Sequence, residues 1–162
     1  MSEKEQLIQT WDREHKITLK VLNAYPQDKQ EYRPHEKSRS AQELVWQFVA
    51  EQGVLSNAID TGKIDFEHMP PPPATYKEAL QHFQTSYQDF KTKLEKLPEA
   101  ELNKMVKFPT GPNQMTDMPI RDLCWTMVMD RVHHRGQFSV YLRLAGGKVP
   151  SIYGPSADEP WM

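Results

Sequence analysis

Prolines divide this chain into four stretches that can be helical, and that division constrains the fold more than any other feature. Pro26, the run Pro70 to Pro73, Pro98 and Pro119 fall between segments whose apolar residues recur every three or four positions. Proline removes a backbone donor and clashes with the preceding turn, so each marks a place where a helix stops or starts. Before Pro26, Leu7, Trp11, Thr18, Leu22 and Tyr25 share one face of a helix expected from about Glu3 to Ala24. Ser40, followed three residues on by Glu43, is a capping-box pattern that opens a second helix running to about Thr61. Thr75 caps a third helix to about Leu97, with Leu80, Phe83, Tyr87, Phe90, Leu94 and Leu97 on its apolar face. The fourth is expected from about Pro119 to Leu144, capped by Thr116 or Asp117 and stopped by "AGG". Between helices two and three the four prolines predict a stiff extended connector. Met105 to Phe108 reads as a brief extended piece. The expected fold is all-α: a four-helix bundle with long, Pro-rich connections, in one domain spanning residues 1–162.

Charge and composition remove several classes of function. Twenty Lys plus Arg against 22 Asp plus Glu leave no basic footprint for holding phosphates, so no nucleic-acid partner is expected. The single cysteine, Cys124, excludes an internal disulfide and a cysteine-cluster metal site; it lies in an apolar run and reads as a small core residue. The N-terminal stretch is acidic and lacks a signal-peptide core, and the mean hydropathy of -0.75 accompanies no apolar run long enough to span a bilayer. A cytoplasmic protein without a membrane partner is expected.

Two of the apolar faces carry polar residues. On the fourth helix the stripe runs Ile120, Leu123, Met127, Asp130, His134, Gln137 or Phe138, and Tyr141. His134 therefore faces inward, whereas the adjacent His133 is rotated by about 100° to the edge or outside. Asp130 and His134, one turn apart, can share an ion or hydrogen-bond each other. On the second helix Gln47 and Glu51 interrupt a stripe of Leu44, Phe48, Leu55, Ala58 and Ile59. An unpaired buried polar group costs about 1–3 kcal/mol, so these groups are expected to find one another or an ion. The residues alone leave three readings open: a satisfied hydrogen-bond network, a metal site, or direct acid–base chemistry by His134. His15, His35, His68 and His82 have no partners at ligand spacing and are expected on the surface or in loops. Tyr141 or Arg135 could orient a substrate by helical position, and no side chain stands out as a nucleophile.

The stretches "EYRPHEKSRSAQELVWQFVAE" and "DRVHHRGQFSVYLRLAGGKVPSIYGPSADE", together with the helix order, resemble the DinB-like proteins, a damage-inducible superfamily that includes bacillithiol S-transferase-like and mycothiol-dependent relatives. The resemblance covers nearly the whole chain and is most specific in "HRGQ", "YLR" and "VPSIYGPS". It implies a bundle, a homodimer, and a divalent metal held by three histidines. His134 matches the last of these; Gln47 and Asp130 stand where the other two histidines are expected. Gln47, Asp130 and His134 are thus the metal ligands the resemblance implies, with nickel or zinc bound weakly or not at all because amide oxygen is a poor ligand. The implied chemistry is activation of a low-molecular-weight thiol for transfer to a small-molecule electrophile. The alternative is a non-catalytic or small-molecule-binding bundle that has lost the metal. Phe66 and Trp161 are exposed-looking aromatics that fit a dimer surface.

Overall fold

The computed structural model describes residues 1–64 and 70–162. Four α-helices make up most of it: α1 (Glu3–Asn23), α2 (Ala41–Thr61), α3 (Tyr76–Lys96) and α4 (Ile120–Leu144). Three of them start where side-chain oxygens can satisfy free amide donors. Ser2 with Glu5, Ser40 with Glu43 and Thr75 with Glu78 each form a reciprocal capping box. α2 ends on Gly62 in the left-handed conformation, φ 70°. Each helix packs on two others in the ring α1–α3–α2–α4, which puts α1 diagonally across from α2. Pro70 to Pro73 form no helix; the connector is tied to α2, where Trp46 Nε1 donates to the Pro70 carbonyl at 2.8 Å.

The expected extended piece is longer than the sequence reading, and it displaces a cap. An antiparallel hairpin, β1 (Met105–Gly111) and β2 (Gln114–Pro119), precedes α4. Val106 turns into the core, and Phe108 and Met118 pack against it. Thr116 and Asp117 therefore do not cap α4 as expected: they lie in β2, where Asp117 pairs with Lys107 at 2.9 Å, and Pro119 occupies the cap position. Pro119 suits this place because the donor it lacks has no partner in a first turn.

Apolar packing falls into two clusters separated along the bundle by a polar layer. One holds Leu22, Tyr25, Leu44, Phe48, Tyr76, Phe83 and Phe138; the other holds Leu7, Trp11, Leu55, Phe90, Leu94, Leu123 and Cys124. Between them in sequence, on three of the helices, lie the buried polar residues Glu14, His15, Thr18, Glu51, Gln52, Arg131 and Arg135. His15 is thus a correction: it is buried, not a surface residue, and stacks on Tyr87 with ring centroids 3.7 Å apart. His35 and His82 are exposed as expected, whereas His68 and Phe66 lie outside the described residues. The core face of α4 is also rotated from the expected stripe, running through Arg131, Arg135 and Phe138 and leaving Gln137 exposed. Among the described residues no helix is long and apolar enough to cross a membrane.

Candidate metal centre

At the level of the polar layer α2 faces α4, and the turn of each helix sets which side chains meet. Glu51 projects from α2; Asp130 and His134, one turn apart, project from α4. One ligand atom from each lies within 4.8 Å of the other two. His134 Nε2 is 3.5 Å from Asp130 Oδ1 and 3.9 Å from Glu51 Oε1. The expected inward turn of His134 is observed, with its side chain 12% exposed, while His133 is exposed. Gln137, one turn on, joins the two histidines: its amide nitrogen donates to His133 Nε2 at 3.0 Å, which aims its oxygen at His134 Nδ1, 2.9 Å away. His134 then carries its proton on Nδ1 and presents the Nε2 lone pair to the two carboxylates.

Glu51 is the least solvated member. Its side chain is 1% exposed, and neither carboxylate oxygen has a hydrogen-bond partner. Burial pushes its carboxyl up to about 8, against the opposing pull of Arg131. Arg131 Nε lies 4.0 Å from Glu51 Oε2. The guanidinium sits 4.3 Å from the Trp11 ring centroid and 5.3 Å from that of Phe83, so aromatic faces from α1 and α3 receive part of its charge. Burial lowers the Arg131 pKa to about 10 and, with the Arg131 charge nearby, lowers His15 to about 3.

Gln47, expected as a ligand, lies one turn before Glu51, is half-buried, and lines a hollow with Arg33, Arg39, Glu43 and Trp46. The structure thus brings Asp130 and His134 together as expected and adds Glu51, which the sequence marks as an interruption of an apolar stripe without assigning it a role. Arg135, considered as a substrate-orienting residue, is instead committed to a second buried network: it donates to Glu14 Oε2 at 2.7 Å and to the Tyr153 hydroxyl, which in turn donates to Glu14. Burial works against ionisation of Glu14, but these donors prevail and hold its carboxyl below its ordinary range. The missed residues carry a spacing signal that could have found them: Glu14 and His15 fall three and four residues after Trp11 on the apolar face of α1, and Arg131 falls four after Met127 on α4.

Two further hollows each include one member of the triad in their lining, His134 in one and Asp130 in the other. One, of about 630 Å³, is lined by Lys37, Ser38, Arg39, Leu44, His134, Gln137, Val140 and Tyr141, a volume in the range of small-molecule sites. The other is mainly apolar, with Phe108, Met127 and Met129 beside Asp130 and His133. Cys124 belongs to neither; it is buried, and burial pushes its thiol up to about 12.

The chain is 26% identical over 153 residues to the uncharacterized protein YrdA of Bacillus subtilis, covering 94% of this chain and 89% of that protein. Its fold is similar to the crystal structure of a DinB-like protein, YjoA, of Bacillus subtilis, with a TM-score of 0.74 and 23% identity, covering 91% of this chain and 97% of that one. A DinB-like protein of Bacillus cereus ATCC 10987 is similar at a TM-score of 0.75 and 21% identity, covering 92% and 97%. The DinB family profile matches residues 1–161, and the chain belongs to the DinB family.

Proposed function

We propose that Glu51, Asp130 and His134 hold a divalent cation, and that the loaded site promotes transfer of a low-molecular-weight thiol to a small electrophile in the cytoplasm. The observation that carries the reading is the buried Glu51 carboxylate, unpartnered at both oxygens and facing a second carboxylate and an imidazole. Donors about 2.0–2.2 Å from a shared zinc ion stand roughly 3–3.5 Å apart, close to the 3.5 and 3.9 Å separations here. The imidazole suits zinc or nickel, and the carboxylates extend the acceptable ions toward manganese. Gln47 is retained in the proposal as a neutral donor at the rim, one turn from Glu51.

When bound, the cation supplies positive charge that favours the thiolate form of a thiol at neutral pH. The chain's own residues do the rest. Gln137 keeps the Nε2 lone pair of His134 on the triad side, the hollow beside His134 admits the thiol, and Phe108, Met127 and Met129 receive the carbon skeleton of the electrophile. The thiol proton passes to solvent, a sulfur–carbon bond forms, and the leaving group departs with the electron pair of the bond that breaks.

Elemental analysis of untagged protein tests the cation site. A stoichiometric divalent ion is expected in wild type and its loss in Glu51→Gln and His134→Gln. A wild-type protein that takes up neither zinc, nickel nor manganese in calorimetry would sink the reading. One observation favours a second one, a bundle that binds small molecules without metal: Arg131, 4.0 Å from Glu51, is a built-in counter-cation. On that reading Gln47, Asp130 and His134 line a ligand pocket, and chelator treatment leaves the melting temperature unchanged.

A further inference from the structure

The hollow that includes His134 and the hollow that includes Asp130 differ in charge. The hollow on the His134 side is lined by two cations, Lys37 and Arg39, and by no carboxylate. Both side chains are exposed, but the backbone that carries them is fixed at three points. Arg33 Nη1 donates to the Ser38 carbonyl at 2.9 Å, the Tyr141 hydroxyl donates to the Arg39 carbonyl at 2.9 Å, and the Lys37 amide donates to His35 Nδ1 at 3.1 Å. A segment held this way presents its charges in one place, so little ordering has to accompany ligand binding. Leu44, Val140 and the Tyr141 ring give the same hollow an apolar wall against which a short carbon chain can lie.

We propose that Lys37 and Arg39 form an anion subsite, which receives an acidic group carried by the small molecule whose reacting end sits at His134. The proposal rests on the cation-site reading for the identity of that reacting end, and its chemistry follows from charge. Glu51 and Asp130, when ionised, carry two negative charges that a divalent cation cancels. A thiolate then adds one negative charge, which the buried Arg131 guanidinium beside Glu51 offsets, so the two positive side chains that line the hollow, Lys37 and Arg39, are left unmatched. The substrate that balances the site is a thiol with a further anionic group, a carboxylate, phosphate or sulfonate, one short chain away from sulfur. Both cations suit this role, Arg39 with a planar fork for a bidentate oxyanion and Lys37 as a point charge.

Three thiols of similar size and different charge provide the probe: mercaptoethanesulfonate, mercaptoethanol and cysteamine. Sulfonate is a poor metal ligand, so its effect reports on the protein. In cobalt-loaded protein, titrated calorimetrically, mercaptoethanesulfonate is expected to bind about tenfold tighter than mercaptoethanol, the ratio expected for one charge-assisted contact. Cysteamine should bind weakest. The double variant Lys37→Gln, Arg39→Gln should erase the order while leaving cobalt binding intact or slightly tighter, because two neighbouring cations have gone. Equal binding of the three thiols, or an order that survives the double variant, overturns the subsite. Chelator-treated wild-type protein separates this from the cation site. There ethanesulfonate should still shift amide resonances from Lys37 to Ala41 and from Gln137 to Tyr141, and the double variant should abolish those shifts. If the shifts appear and cobalt does not bind, the cation site fails and the anion subsite stands; if they are absent, the subsite is overturned whatever cobalt does.

Discussion

Glu51 Oε1 on α2 lies 3.9 Å from His134 Nε2 on α4, and no hydrogen bond satisfies either oxygen of that carboxylate. A buried acid in this state is held neutral or neutralised by a cation, and the two cases respond differently to mutation. With zinc present at a hundred times its dissociation constant, the wild-type protein should gain about 2.7 kcal/mol of stability. Glu51→Gln should lose that gain and, without zinc, melt no lower than wild type, since the amide needs no desolvated charge. Calorimetric melting with and without zinc reads both; an undiminished zinc response in Glu51→Gln removes Glu51 from the ligand set.

The cation-free protein should show opposed pH effects from two buried groups. Glu51 has a folded pKa of about 8 against an ordinary 4.5. Its contribution to stability is therefore fully present below 4.5 and lost as pH rises through 8. His15, at about 3 against 6.5, behaves in the opposite sense: its contribution is present above 6.5 and lost as pH falls toward 3. Melting temperatures should vary little between pH 4.5 and 6.5, where the two slopes oppose, and then fall toward pH 8. Glu51→Gln should remove the fall above pH 6.5, and His15→Phe should extend a continuous fall down to pH 4.5. A wild-type curve that rises from neutral to alkaline pH without metal contradicts the Glu51 assignment.

Gln47→His with Asp130→His supplies the histidines that the family resemblance implies at these positions. Imidazole suits nickel and zinc better than amide or carboxylate oxygen, so the double variant should bind either ion tenfold tighter or more, by roughly the 1.4 kcal/mol that such a ratio represents. Unchanged affinity in competition calorimetry would mean that Gln47 does not reach the ion.

Arg131 tests how the polar layer is held. Removing one partner of a buried ion pair typically costs about 3–5 kcal/mol, whereas replacing both with apolar groups is often neutral. Because burial holds the Glu51 carboxyl protonated up to about pH 8, Arg131→Met should cost less than that range at neutral pH, and Arg131→Met with Glu51→Leu should recover most of the loss in urea unfolding. Additive losses in the double variant would show that the two groups do not interact.

A homodimer, proposed from the family resemblance, has a suitable face on α4. Met129, Val140 and Leu144 are 67%, 55% and 56% exposed, and Gly136 between them has nothing within 4 Å of where a Cβ would stand. The exposed Trp161 adds apolar surface elsewhere. Val140→Glu should convert a dimer to a monomer in light scattering at micromolar concentration; a wild-type monomer there ends the proposal.

Helix positions were legible in the sequence because they depend on neighbours along the chain. The capping box at Ser40, the cap at Thr75, the proline boundaries and the repeating apolar residues of α1 and α3 act within one or two turns, and all are observed where expected. The inward turn of His134 was legible for the same reason. The hairpin was less so: its inward residues, Val106, Phe108 and Met118, are only three, and its pairing joins residues that local propensity does not link. The makeup of the polar layer was settled only by tertiary structure. Arg131 has the spacing of a core position but the charge of a surface one, and it is buried because α1 and α3 set Trp11 and Phe83 over its guanidinium. Likewise the sequence marks both Gln47 and Glu51 as polar residues on an apolar face. Glu51 joins Asp130 and His134 because of the rotation of α2 against α4, a quantity fixed by packing across the bundle and by nothing within either helix.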